Sequence, residues 1–239
     1  MPIILTNDDG IDAPGIAALR EALSGEDVIT VAPVDHVSEC SHRVTTQRPI
    51  TIEERGENRY AIDALPADCT RVALLHILPR LGVKIDPRNT WVYSGINEGG
   101  NLGADVYISG TVAAVREAAF HSLPGVAFSQ YRKGRRGPES IDWPRAIGYT
   151  RRVLAELRGR ELPEGAFWNV NFPCIDEASG GEPRIIFCER SRHPLPVKYD
   201  DTADGLSYVH SQYHKRTSEP GSDVAVCFGG NIAVSMIEL

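Results

Sequence analysis

The sequence predicts an α/β protein: a doubly wound, mainly parallel sheet with a C-terminal β-hairpin appendage at about residues 173–225, in a single domain over residues 1–239. Three observations lead there. Short runs rich in Ile and Val alternate with segments of helical spacing as far as Leu157, the pattern of parallel strands joined by crossover helices. Loops of Gly, Asn, Asp and Ser follow several of those runs. From about Pro173 the texture changes to short pieces separated by Gly, Pro, Asp and Ser, as in Ser179-Gly180-Gly181 and Pro220-Gly221-Ser222, which reads as hairpins.

In order, Pro2 to Thr6 is a short buried strand, and Pro14-Gly15 opens a helix with apolar Ile16, Leu19 and Leu23 on one face. DVITVAP, Asp27 to Pro33, is the second strand, ended by its proline. A polar loop, VDHVSECSHRVTT, has no clear period. Alternating runs near Pro49 to Glu53 and Arg59 to Ile62 predict a hairpin insertion, and Pro66-Ala67-Asp68 starts a helix through CTRVALLHIL. TWVYSG (Thr90 to Gly95) is a strand, TVAAVREAAFHS (Thr111 to Ser122) a helix and GVAFSQ (Gly125 to Gln130) a strand. Ile141 to Leu157 is helical, AFWNVNF is a strand, and Asn231 to Ile237 is a returning strand. No internal repeat is evident.

Composition bounds the function. With 42% hydrophobic and 24% charged residues the chain is ordinary globular material. A net charge of -7 argues against a nucleic-acid partner held by a broad basic surface, but leaves room for a small anion in a local pocket. There is no basic n-region with an apolar h-region behind it, and no run approaches the ~18 apolar residues of a membrane span. A cytoplasmic protein with no membrane partner is expected. The five cysteines are odd in number and never in CxxC spacing, so reduced, mostly buried thiols are expected rather than disulfides or a thiolate zinc site.

In an open α/β sheet, ligands bind beyond the carboxyl ends of the strands. Three loops leave predicted strand ends on that edge: NDDG at 7–10, DHVSECS at 35–41 and GINEGGNLGAD at 95–105. For an isolated NDDG, an Asx turn is a sufficient explanation. Neighbouring side chains on a regular strand face opposite ways, so Asp8 and Asp9 reach one ion only where the strand breaks, as Gly10 allows. Two carboxylates held close repel each other unless a cation lies between them. The other loops add neutral oxygens from Ser38, Ser41, Asn97 and Asn101; His36 and His42 are nearby, at no convincing ligand spacing. Such an all-oxygen set suits Mg²⁺ or Mn²⁺ better than zinc.

The stretch SGINEGGNLGADVYISGTVAAV, Ser94 to Val115, places Ser109-Gly110-Thr111 at a helix start, where free N–H groups and the helix dipole favour phosphate. A glycine-rich crossover ending in an ordinary Ser/Thr cap fits the same spacing. A P-loop is excluded because no GK[ST] is present, and the G-x-G-x-x-G dinucleotide pattern is missing from this loop. Haloacid-dehalogenase chemistry needs acids separated by one residue, and these are adjacent.

With these motifs the chain resembles the SurE family, the stationary-phase survival proteins, which are metal-dependent nucleoside monophosphate phosphatases. The resemblance rests on ILTNDDGIDAPGI, VAP with a serine five residues later, PADC at Pro66 to Cys69, and SGINEGGNLGADVYISGTVAAVREA; WNVNFP, RHP at Arg192 to Pro194 and GSDVAV at Gly221 to Val226 extend it over nearly the whole chain. It implies that Asp8, Asp9, Ser38 and Asn97 hold one divalent ion, Mg²⁺ or Mn²⁺, per subunit. It implies that Asn101 and Ser109-Gly110-Thr111 hold the phosphate, with Ser41 beside them; on that arrangement Asp8 or Asp9 is expected to take the proton of the attacking water. The implied fold is Rossmann-like with a protruding hairpin region, the implied activity a 5'-nucleotidase with 3'-nucleotidase and exopolyphosphatase activity as extensions, and the implied assembly a homodimer or homotetramer. The chain departs from the family pattern after the metal-binding serine, with Glu39, Cys40 and then His42-Arg43 where Gly and small polar residues are usual.

Two other readings compete: a nucleotide-binding regulatory protein without turnover, and a metal hydrolase acting on esters or amides. The run RKGRRG, Arg132 to Gly137, reads as a solvated loop, and His193, His210 and His214 as hairpin-region packing. Asn169 and Asn171 share one face of a strand, where they satisfy backbone groups near the sheet edge. Trp91, Trp143 and Trp168 read as core or interface anchors.

Overall fold

A computed structural model describes residues 2–37, 40–132, 141–174 and 181–239. The elements begin with β1 (Ile3–Thr6), α1 (Pro14–Ala22) and β2 (Val28–Pro33), then an insertion of β3 (Ile52–Glu54) and β4 (Arg59–Ile62). α2 (Pro66–Val72) continues through one π-helical turn at Ala73–Ile77 into α3 (Leu78–Arg80). β5 (Trp91–Glu98), a 3₁₀ segment Gly103–Tyr107, α4 (Gly110–Phe120), β6 (Gly125–Gln130), α5 (Trp143–Leu157) and β7 (Ala166–Phe172) follow. The last third holds β8 (Ile185–Phe187), β9 (Tyr199–Thr202), β10 (Gly205–Tyr208), a 3₁₀ turn His210–Lys215, α6 (Asp223–Phe228) and β11 (Ile232–Glu238).

The main sheet has nine strands in the order β3-β4-β2-β1-β5-β6-β7-β11-β8. Pairing is parallel from β4 to β7 and again between β11 and β8, with antiparallel pairs only at β3-β4 and β7-β11. This is the doubly wound, mainly parallel sheet the sequence predicts. Alternation along β1 shows how it is buried on both faces: Ile3 and Leu5 pack with Ile16, Leu19, Val153 and Leu157 of α1 and α5. Ile4, pointing the other way, packs with Ile29, Leu74, Ile77 and Ala118 on the opposite side.

Three elements differ from expectation. β5 runs on to Glu98, with its pairing to β6 shifted between Ser94 and Asn97, so Asn97 sits on a distorted strand end rather than in the glycine loop. The second helix is longer and has the π turn. Among the described residues of the C-terminal third, only β9 and β10 form a hairpin; β8, apolar as IIF, adds itself to the free edge of β11 instead. Residues 133–137 of the basic run and the Ser179-Gly180 turn lie outside the described residues, as does the side chain of His210. Among the described residues no helix is long and apolar enough to cross a membrane. All five cysteines are free, with Cys40, Cys69 and Cys227 buried.

Because β1, β2 and β5 run parallel, the loops after Thr6, Pro33 and Glu98 emerge at one edge of the sheet. α4 begins there too.

Candidate functional site

The Asn7–Gly10 turn is closed by the Asn7 side chain, whose Nδ2 donates to the Gly10 carbonyl at 2.8 Å. Gly10 adopts φ 104°, and a Cβ there would lie 3.3 Å from the Asp35 backbone. This is not an Asx turn, in which the side-chain oxygen would accept a main-chain N–H; the tie is a donated amide bond, and Asn7 rather than either acid makes it.

Asp8 turns into the protein and meets the start of α4. The Thr111 hydroxyl donates to its Oδ1 at 2.5 Å, and the Thr111 main-chain N–H adds a second donor. The approach is so close that a Cβ on Gly110 would come within 2.9 Å of the Asp8 Cβ and 3.0 Å of the Cys40 sulfur. Burial first, and the charge of Asp9 second, push Asp8 from 3.8 up to about 7 against those hydrogen bonds. Asp9 is nearer solvent. Its Oδ1 lies 3.0 Å from His36 Nδ1, and its Oδ2 accepts from the Glu98 N–H at 3.3 Å.

Asn97 donates its Nδ2 to the Gly99 carbonyl at 2.7 Å, which leaves Oδ1 as the atom this amide can offer an ion. Ser38 lies outside the described residues, but Val37 just before it donates its N–H to the Asp8 carbonyl at 2.7 Å. Ser41 has φ 52° and is tied to the segment ahead of α4: its N–H donates to Ile108 O at 3.0 Å and its hydroxyl to Tyr107 O at 2.8 Å. Ser109 caps α4, its hydroxyl accepting the Val112 N–H. The structure thus brings Asp8, Asp9, Asn97, Ser41 and Ser109–Thr111 to one edge. It also shows that the Ser41, Ser109 and Thr111 hydroxyls already have protein partners.

Asn101 sits deeper. Its Nδ2 donates to Ser129 Oγ at 2.8 Å, its N–H donates to Asn171 Oδ1 at 2.8 Å, and its carbonyl accepts from the Asn169 and Asn171 side chains. The two strand asparagines do satisfy backbone groups, and the group they satisfy is the main chain of Asn101.

The described residues contain no cluster of three His, Cys, Asp or Glu side chains able to hold a metal, so the donors on offer are two carboxylates with neutral oxygens. These residues fit a hard divalent cation: Asp8 is raised by burial and then by the charge of Asp9, and an ion between the pair would turn that repulsion into attraction.

Several supporting residues were not picked out from the sequence. Arg216 makes a buried two-pronged bond to Asp105, both contacts 2.9 Å, and Tyr213 donates to the Gly100 carbonyl at 2.9 Å. Asp223 accepts from the Gly103 N–H at 2.7 Å and the Ser191 N–H at 2.9 Å. Together they fasten the C-terminal segment onto the loop that leads to α4. GSDVAV, which contains Asp223, was picked out as a motif, but its Gly103 partner lies 120 residues away in the chain. Of the hairpin-region histidines, His193 pairs with Glu219 and His214 with the Tyr131 hydroxyl.

Comparison with known proteins gives the family and the fold. The family profile described as "Survival protein SurE" matches residues 3–193. A Nostoc sp. protein, whose name gives 5'-nucleotidase as a provisional assignment, is 50% identical over 239 residues, covering both chains completely. The protein named 5'-nucleotidase SurE from Paramagnetospirillum magneticum is 32% identical across 98% of this chain and 88% of its own. The crystal structure of the SurE protein from Aquifex aeolicus superposes with a TM-score of 0.82 at 28% identity, covering 100% of this chain and 93% of that one. The chain belongs to the SurE family.

Proposed function

We propose that this protein is a divalent-metal-dependent 5'-nucleotidase that hydrolyses nucleoside monophosphates to nucleoside and phosphate, with one Mg²⁺ or Mn²⁺ per subunit of a homo-oligomer. The observation that carries the reading is the placement of the Asp8–Asp9 pair against the N-terminus of α4, beside Ser109-Gly110-Thr111. Relatives named as 5'-nucleotidases support it.

Asp8, Asp9, Asn97 and Ser38 would hold the ion, which when bound supplies charge neutralisation for the phosphoryl group and lowers the pKa of a bound water. Thr111 fixes the direction of the Asp8 carboxylate through its hydroxyl and N–H. The start of α4 presents its positive dipole end to the phosphate. Asn101, locked by Ser129, Asn169 and Asn171, supports the phosphate side of the pocket. We assign the proton of the attacking water to Asp9, because it is the more open acid and His36 Nδ1 stands 3.0 Å from its Oδ1 to accept it onward. Asp8 is closed off by Thr111.

The test is to measure hydrolysis and nucleotide binding together on wild type and Asp9→Asn. Hydrolysis lost with binding retained supports the assignment. Binding with no hydrolysis in the wild type overturns it in favour of a regulatory protein.

A further inference from the structure

The segment that leaves β2 is fastened on both sides of Ser38. Upstream, Val37 donates its N–H to the Asp8 carbonyl at 2.7 Å; downstream, Ser41 is bonded to Tyr107 and Ile108. One residue further on, the His42 ring reaches across to α4, where its Nε2 lies 2.8 Å from Glu117 Oε2 and its ring packs edge-on against Phe120 at 5.3 Å. Glu117 is nearly inaccessible, with its side chain 2% exposed, and its other oxygen receives Arg71 Nε at 2.6 Å with His121 3.4 Å away. A buried carboxylate bound on both oxygens is a rigid anchor. The residue attached to it is His42, in the stretch where this chain departs from its family's small polar residues.

We propose that His42 is a positioning residue for the metal and substrate loop: through Glu117 it holds Cys40 and Ser41, just after the proposed metal ligand Ser38, against the start of α4. The proposal rests on the nucleotidase reading above and deepens it. The pair touches neither ion nor substrate, so its effect is on where the loop's oxygens stand. Removing the link loosens the hold on Cys40 and Ser41 at the start of α4, which weakens metal and substrate binding and leaves the acids in place. Arg71 provides the contrast, since it meets the same carboxylate from α2 without touching the loop.

The experiment compares wild type, His42→Ala, His42→Gln and Arg71→Ala in Mn²⁺ titration calorimetry on metal-free protein, thermal melting, and KM and kcat for a nucleoside monophosphate. His42→Ala is expected to weaken Mn²⁺ binding by on the order of tenfold and to raise KM more than it lowers kcat. His42→Gln, which can still donate to Glu117, restores most of both. Arg71→Ala lowers the melting temperature at least as much as His42→Ala and leaves Mn²⁺ affinity within about twofold of wild type. The proposal is overturned if His42→Ala binds Mn²⁺ as wild type does, or if Arg71→Ala weakens Mn²⁺ as much as His42→Ala. A wild type that binds Mn²⁺ without hydrolysing any nucleotide overturns the nucleotidase reading instead, and the calorimetric comparison still decides the role of His42.

Discussion

Thr111 donates its hydroxyl to Asp8 at 2.5 Å across 103 residues of sequence, joining the end of the first strand to the first turn of α4. That bond holds the buried acid in one orientation and lowers its pKa against the opposing effects of burial and Asp9. Thr111→Val keeps the shape and removes the donor. Activity is expected to fall by roughly ten- to a hundredfold, and the acid limb of the pH–rate profile to move to higher pH because Asp8 holds its proton more tightly. Thr111→Ser should recover most of the rate; an unchanged pH profile in Thr111→Val would remove the hydroxyl from the account.

The position of Asp8 near 7 gives the metal-free protein a defined pH dependence. A carboxyl raised above its ordinary 3.8 favours the folded state fully below that value, and this contribution is lost as the pH rises through about 7. Metal-free protein is therefore expected to melt at a lower temperature at pH 8 than at pH 5, and Asp8→Asn to flatten the difference. Mn²⁺ affinity should fall as pH drops below about 7, since the ion must displace the proton. A difference of equal size in Asp8→Asn would assign it to other groups.

Glu117 sets the acid end. Burial alone would raise it, but hydrogen bonds from His42 and Arg71 prevail and hold it at about 2. A carboxyl lowered in the folded state contributes stability above its ordinary 4.5, lost as pH falls through about 2. Acid unfolding of Glu117→Gln, followed by circular dichroism, should show a shallower loss of stability between about pH 4.5 and 2 than wild type. Parallel curves would count against it.

The sheet and its order of strands and helices were legible because burial on both faces forces apolar runs at β1, β2, β6 and β7, and helical spacing between them is unmistakable. The acids and the SGT helix start were legible as loops at strand ends. What the sequence did not disclose was which hydroxyls and amides already had partners. Nothing in the spacing shows that Thr111 donates to Asp8, or that Asn101 is held by Ser129, Asn169 and Asn171. Such pairings depend on which strands become neighbours. Local spacing carries no record of that. In the C-terminal third the hairpin and the returning strand were legible but the place of β8 was not, because a three-residue apolar strand such as Ile185–Phe187 looks the same whether it turns back as a hairpin or joins the edge of β11.

The buried Asp105–Arg216 pair joins the C-terminal segment to the 3₁₀ turn before α4. Arg216→Met leaves the Asp105 carboxylate buried with Tyr213 as its remaining side-chain donor. Loss of one partner from such a pair is expected to cost about 3–5 kcal/mol, visible as a lower urea midpoint with the slope unchanged. A stability within about 0.5 kcal/mol of wild type would show that the pair is dispensable to folding.

The most direct measurement is phosphate release from a panel of nucleoside 5'-monophosphates by purified protein, with Mg²⁺, with Mn²⁺ and with chelator, for wild type and Asp9→Asn. The account predicts release from at least one nucleotide with either metal, abolished by chelator and by Asp9→Asn. No release from any nucleotide with either metal, or release that survives chelator, would contradict it.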